Sequence, residues 1–451
     1  MSTTPNARPI PTVPRSYQFP QVERTRLSNG VSVEVATLTR LPIVTVLALV
    51  DGGAALDAPA EGSALLTARA LGEGGDGGDG RSLAEAFESL GSGLDAASDW
   101  DSTQAQVTVM AERLTSATNM LAVAIMRPEL AERDILRLRD ERIEELLQVE
   151  KEPRALADDV FAGLVYADEA RYSRPEGGAQ PAVSMLDAGA LRAYHGHQFA
   201  PDTVTLILCG DVMPDEAFAV AERTLGAWSG SAKRARVMAD LQRVNGPRVL
   251  IVDKAGAPQS ELRIGHRGVP RHHVDYFPLV VMNALLGGLF SSRINLNLRE
   301  RNGFTYGARS TFDWRRGAGP FMVSTAVKTD VTARAVREVL TEVDRMRVDL
   351  VGAEELTLAT AYLDGVFPIR FETTEAVADA VARARTFDLG TEYYSAYREQ
   401  VRSVTADDVR RVANEHLRPD DLRIVAVGDS KVIRLDLEAL QLGSVQLHEA
   451  S

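Results

Sequence analysis

Only one cysteine occurs in 451 residues, Cys209, so neither an intramolecular disulfide framework nor a cysteine-based zinc cage can form. It falls in an apolar stretch of strand length, Thr203–Cys209, and reads as a small core residue. Long apolar runs are missing as well. The longest stretches, such as Ile43–Val50, fall short of the roughly eighteen residues that a membrane span needs, so no span is expected. No lysine- or arginine-rich block stands out, and the net charge of −13 repels phosphate backbones, which sets nucleic acid aside as a partner. Histidine is scarce: His195, His197, His266, His272, His273, His416 and His448. None shows i, i+4 spacing beside an acidic partner, the pattern that announces a helical metal site, so no metal is expected in this chain. Met1 to Pro20 carries five prolines and no apolar segment, so no signal peptide is read there. That leaves the compartment open: periplasmic if an export signal was removed, otherwise cytoplasmic.

What is present is a composition of 45% hydrophobic and 25% charged residues, the balance of a soluble globular chain with ample core. The length suits two domains of about 200 residues each. An internal repeat supports that division. Phe199-Ala-Pro-Asp-Thr-Val-Thr-Leu-Ile-Leu-Cys-Gly-Asp211 is echoed by Leu417-Arg-Pro-Asp-Asp-Leu-Arg-Ile-Val-Ala-Val-Gly-Asp429. Each copy follows a helical pattern, Leu186–Gln198 and Val404–His416, and reads as helix, Pro-Asp turn and buried strand. A period this long means two copies of one domain, not a solenoid.

Within each half, strand patterns (Val31–Ala36, Ile43–Val50 and Gln104–Met110; then Val249–Val252, Glu261–His266 and Phe321–Val327) are interleaved with long helices such as Leu121–Met126 and Ile135–Leu147. Strands that follow one another directly favour an α+β fold: two homologous sandwich domains, each a mainly antiparallel sheet packed with helices. The expected boundaries are a Pro-rich arm over 1–22, a first domain over 23–228, a linker over 229–247 and a second domain over 248–451.

Three stretches of the first half resemble the insulinase (pitrilysin) peptidases. Gly62–Leu71 sits where that family carries its inverted zinc motif, His-x-x-Glu-His. Leu83–Asp101 looks like the helix and segment that follow it, and the helix with Glu144-Glu145 resembles the region supplying the third zinc ligand. Two histidines one helical turn apart can share a metal while the intervening glutamate acts as base. Here the matching positions are Leu65, Ala68 and Arg69, none of which can ligate zinc or take a proton. Glu145 remains at about the third ligand's spacing; alone it will not hold zinc, and it reads as a surface or interface carboxylate.

The second half keeps the family's other signature, Leu286-Gly-Gly-Leu-Phe-Ser-Ser-Arg-Ile-Asn-Leu-Asn-Leu-Arg-Glu-Arg-Asn-Gly-Phe-Thr-Tyr-Gly-Ala308. By this resemblance Arg299 and Tyr306 are the pair that reaches toward zinc held by an opposite half. A tyrosine hydroxyl can stabilise the oxyanion and an arginine fork can hold substrate carbonyls. The plainer reading is an arginine favoured at a helix C-terminus and a tyrosine that packs. Gly303 is expected to end the helix in the left-handed conformation and turn both side chains to one cavity. Gly287, Gly288, Phe290 and Ser291 would border the substrate, with the Ser291-Ser292 pair capping the helix. Gly72–Gly80, without a P-loop pattern, is expected to be a flexible loop.

The resemblance thus implies the zinc-free subunit of a two-chain peptidase. It would supply Arg299 and Tyr306 to a homologous zinc-bearing partner acting on peptides. A structural or peptide-binding member of the family is the rival.

Overall fold

The computed structural model describes residues 16–232 and 239–448. Part of the expected arm (1–15) and of the expected linker (233–238) lies outside the described residues. Strands of the first half are β1 (Val22–Arg26), β2 (Ser32–Thr37), β3 (Ile43–Val50), a two-rung hairpin β4–β5 (Gly74–Gly75, Gly78–Asp79), β6 (Asp95–Ser98), β7 (Thr103–Met110) and β8 (Val204–Gly210). Its helices are α1 (Ser63–Ala70), α2 (Gly80–Ser89), α3 (Leu114–Met126), α4 (Glu132–Val149), α5 (Pro153–Val165), α6 (Gln180–Val183), α7 (Ala188–Gln198) and α8 (Pro214–Leu225).

The second half has β9 (Val249–Asp253), β10 (Gln259–Arg267), β11 (Ala308–Phe312), β12 (Pro320–Lys328), β13 (Arg423–Gly428) and β14 (Val445–His448). Its helices are α9 (Tyr276–Asn283), α10 (Arg293–Asn295), α11 (Thr332–Val348), α12 (Ala353–Val366), α13 (Thr374–Thr386), α14 (Tyr393–Ser403), α15 (Ala406–His416) and α16 (Ser430–Glu438).

The duplication is visible in the sheets. The first runs β1-β2-β8-β3-β7-β6; the second, read from its far edge, runs β14-β9-β13-β10-β12-β11. In both, the strand of the echoed motif sits inside the sheet, antiparallel to one neighbour and parallel to the other. The repeated sequence features have local causes. Asp187 caps α7 by accepting from the Ala190 amide, and Thr405 forms a capping box with Asp408 on α15. The glycine closing each motif strand answers to crowding. Gly210 has φ +143°, and a Cβ there would lie 2.2 Å from the Ile43 carbonyl oxygen, while one on Gly428 would meet Ser260 Oγ at 2.5 Å.

Each half lends a helix to the other. α5 lies on β10 and β13 of the second sheet, and α13 lies on β3 and β8 of the first. Val377, Ala378, Val381 and Ala382 of α13 form one apolar cluster with Ala36, Leu47, Leu49, Ile207 and Cys209. Cys209 is therefore a buried core residue, and burial pushes its thiol pKa up. Polar pins cross the same boundary: Arg263 Nε donates to Asp158 Oδ1 (2.5 Å), and Tyr166 Oη donates to the Ala318 carbonyl (2.8 Å).

One local expectation is revised. The glycine-rich run 72–80 is no open loop. It folds into β4–β5, whose acidic residues are engaged: Glu73 pairs with Arg137 at 2.7 Å, Asp76 with Arg127 at 3.1 Å, and Asp79 caps α2. Segment 276–301 is also long and apolar enough to pass for a membrane span by composition, with a mean hydropathy of 1.4. It breaks into turns at residues 289–292, and half of it is buried against the second-half core, where Leu279, Met282, Leu286 and Leu298 are closed off from solvent. Core packing accounts for its apolarity.

Candidate functional site

Two neighbourhoods carry the residues singled out in the sequence. In the first, α1 presents Leu65 and Arg69 one turn apart on a partly exposed face, while Ala68 is fully buried. Arg69 forms a two-pronged bond to Glu145 of α4, Nη1 to Oε1 at 2.9 Å and Nη2 to Oε2 at 3.0 Å. Arg142 Nη1 adds a third bond to Oε2 at 3.0 Å. The bond from Arg69, followed by that from Arg142, holds the Glu145 carboxyl below its usual range.

Zinc does not fit here. Leu65 and Ala68 have no donor atoms, the Arg69 guanidinium repels a cation, and both oxygens of the remaining carboxylate are occupied. Above Leu65 the chain is closed by Gly177, where a Cβ would lie 2.6 Å from the leucine side chain. That loop is pinned by Arg171, which is buried with Asp57 (Nε to Oδ1 2.8 Å) and donates to the Pro175 and Glu176 carbonyls.

The second neighbourhood is the long motif of the second half. α9 runs into a π-helical turn, Ala284–Gly288, because Gly287 must press against β11: a Cβ there would be 2.5 Å from the Ser310 amide nitrogen. Asn283 clamps the approach, donating to the Ser310 carbonyl (3.1 Å) and accepting from Ser310 Oγ (2.7 Å). After α10 the helix is again π-wound over Leu296–Arg301. It stops at Gly303 (φ +62°), the left-handed residue expected there. Ser292 occupies the N-cap position of α10, but its side chain makes no cap bond. Asn295 instead ties the segment together, donating to the Phe290 carbonyl and accepting from the Ala308 amide.

These contacts frame a cavity of about 430 Å³. Gly287, Gly288, Phe290 and Tyr306 line it; Ser291 and Arg299 do not. Tyr306 is 92% exposed at the rim. Arg299 sits over the Phe290 ring, 4.3 Å from guanidinium carbon to ring centroid, and meets Glu300 at 3.4 Å. The structure thus leaves Tyr306 on the cavity lining and Arg299 stacked on Phe290 outside it, and does not bring the two into one pocket. The sequence reading missed Arg263 and Arg154, which reach this cavity from β10 and from the lent helix α5. It also missed Asn283 and Asn295; amides at helical positions inside an apolar stretch were the available signal.

The fold also assembles a group that no sequence spacing announces. His273, Asp275 and His416 bring ligand atoms within 4.8 Å of one another. Asp275 is already satisfied as an ion-pair hub, with Arg411 and His416 each at 2.7 Å, which fastens α9 to α15.

Known proteins share this fold. A profile described as "Insulinase (Peptidase family M16)" matches residues 35–172, and one described as "Peptidase M16 inactive domain" matches residues 186–363. The chain belongs to the insulinase (M16) family. Among its relatives is an uncharacterized zinc protease of Mycobacterium leprae, 23% identical over 74% of this chain and 75% of that protein. Another is the mitochondrial-processing peptidase subunit beta of Blastocladiella emersonii, 22% identical over 91% of this chain and 89% of that one. Among solved structures, an M16 inactive domain from Pseudomonas fluorescens superposes with a TM-score of 0.83, with 22% identity over 90% of this chain and 98% of that one. A Helicobacter pylori protease gives 0.84 with 17% identity, covering 91% and 100%. Both likenesses are of fold, so for this M16 chain the inverted motif has to be judged on its own residues, and those hold no catalytic zinc.

Proposed function

We propose that this chain is the zinc-free subunit of a two-chain peptidase, complementing a homologous subunit that bears the zinc motif. The observation that carries the reading is the Arg69–Glu145 fork, which joins two positions that the family resemblance gives to metal ligands, in a chain that otherwise matches the M16 models. The second support is Tyr306, whose exposed ring stands at the rim of a cavity walled by Gly287, Gly288 and Phe290. The partner supplies the metal and the base. Tyr306 donates to the carbonyl oxygen of a bound peptide as charge builds on it, and Phe290, backed by Arg299, walls the chain.

The test is to purify this chain alone and co-expressed with a zinc-motif homologue, then to follow cleavage of a quenched fluorescent peptide. Cleavage by the pair only is expected, and Tyr306→Phe should lower kcat roughly ten- to a thousandfold, the range for one lost oxyanion donor. Unchanged turnover in an intact pair would remove Tyr306 from the chemistry. The second reading, a structural or peptide-binding member, is favoured by Arg299, whose stacking on Phe290 is a packing role; it predicts a pair whose rate ignores both residues.

A further inference from the structure

A second and larger cavity, about 680 Å³, lies apart from Tyr306, between the end of β11 and helices α13 and α14. Its wall is unusually aromatic: Phe312, Trp314, Phe371, Phe387, Tyr394 and Tyr397 all contribute. The rings are braced against one another, with Phe312 stacked on Trp314 at 5.3 Å and Phe371 edge-on to Tyr394 at 5.4 Å. Phe19, outside the cavity, stacks on Tyr394 at 4.5 Å. Ring faces held in place before any ligand arrives lower the ordering cost of binding another ring.

The charges in that wall are unevenly committed. Arg271 is spent within the protein, 3.4 Å over the Tyr276 ring and bonded to Tyr393 Oη at 2.5 Å. The wall's two carboxylates have cationic neighbours of their own, Asp313 in an ion pair with Arg315 and Asp379 under the charge of Arg383, while Arg370 is exposed and makes no side-chain hydrogen bond or ion pair among the described residues. An uncommitted guanidinium beside an aromatic wall suits a ligand with a ring and a carboxylate together. Trp314, Asp379, Arg383 and Phe387 also line an adjoining groove of about 420 Å³, whose opposite side is polar: Asp95, Ser98, Gln104 and Gln106 of β6 and β7. Those side chains can bond the amides of an extended chain.

We infer that this cavity is a binding subsite for the C-terminal residue of a peptide, with an aromatic side chain against the rings, the terminal carboxylate on Arg370, and the preceding residues leaving along the Gln104–Gln106 groove. That the ligand is a peptide rests on the function proposed above; the ring and the carboxylate rest on the cavity.

The experiment uses the full chain alone, titrated with the hexapeptide Ala-Gln-Ala-Gln-Ala-Phe by calorimetry and by tryptophan emission. Saturable binding is expected, at least tenfold weaker for the C-terminal amide and for the peptide ending in Ala. Arg370→Gln should bring the free acid down to the affinity of the amide and leave the amide unchanged. Trp314→Phe should abolish the emission change while calorimetry still detects binding. No binding, equal affinity for acid and amide, or an undisturbed acid affinity in Arg370→Gln would overturn the assignment. N-acetylphenylalanine binding as tightly as the hexapeptide would overturn its peptide part. These outcomes are separable from the enzyme reading, because they need no partner and no turnover: binding here beside a pair that cleaves nothing would leave the subsite and sink the peptidase role.

Discussion

Arg69 and Glu145 lie 76 residues apart in sequence and meet as a fork because α1 and α4 pack side by side. Replacing Leu65 and Arg69 together by histidine would set two imidazoles one turn apart on α1, facing the Glu145 carboxylate. The L65H/R69H variant is therefore expected to bind about one zinc per chain by elemental analysis, with no gain in peptide cleavage because Ala68 offers no base. No zinc above the parent's level would show that Arg142 alone keeps Glu145 engaged. Close by, burial followed by the charge of Asp99 pushes Glu176 up to about 7 from 4.5. The folded state therefore binds this proton more tightly than the unfolded chain does. The resulting stability is complete below pH 4.5 and is lost as pH rises to about 7. Glu176→Gln should flatten that fall and add roughly 1–2 kcal/mol at pH 8, read from denaturant midpoints across pH. Some slope will remain, since burial also raises Asp101 to about 6.

At the scale of elements, the loop over α1 hangs on one buried pair. Arg171 and Asp57 are 1% and 0% exposed, and Arg171 further holds the carbonyls of the Pro175–Glu176 turn. Arg171→Met leaves the buried Asp57 without its main partner, and is expected to cost about 3–5 kcal/mol in urea unfolding. Adding Asp57→Asn should restore most of that loss, and a single variant within about 0.5 kcal/mol of the parent would refute the role. Elements of this kind mark how far the sequence could be read. Ile43–Val50 and the two helix-turn-strand echoes were legible because apolar periodicity, caps and Pro-Asp turns are local signals. The glycine run 72–80 was misread as a loop because the partners that order it, Arg127 and Arg137, come from elsewhere in the chain. The aiming of Arg299 was not legible either. It depends on π-winding over Leu296–Arg301, which leaves no signature in residue order.

The whole molecule is held by exchange. With α5 on the second sheet and α13 on the first, neither half has a complete set of layers on its own. Segments 16–228 and 248–448 expressed separately are expected to be insoluble or to lack cooperative unfolding, and the full chain to unfold in one transition by circular dichroism. Two well-separated transitions would contradict this. The resemblance of the halves was plain in the sequence; their crossing was not, since a helix pattern states which face is apolar but not whose sheet will cover it.

The crossing also bears on ancestry. A progenitor of half this length, built to the same plan, could finish its sheet only by trading that helix with a second copy of itself, so it had to exist as an interlocked pair. Joining the two copies in one chain makes that pairing independent of concentration. In one chain the two copies need not stay identical, and the side chains at positions 65, 68 and 69 can differ from their counterparts without undoing the fold.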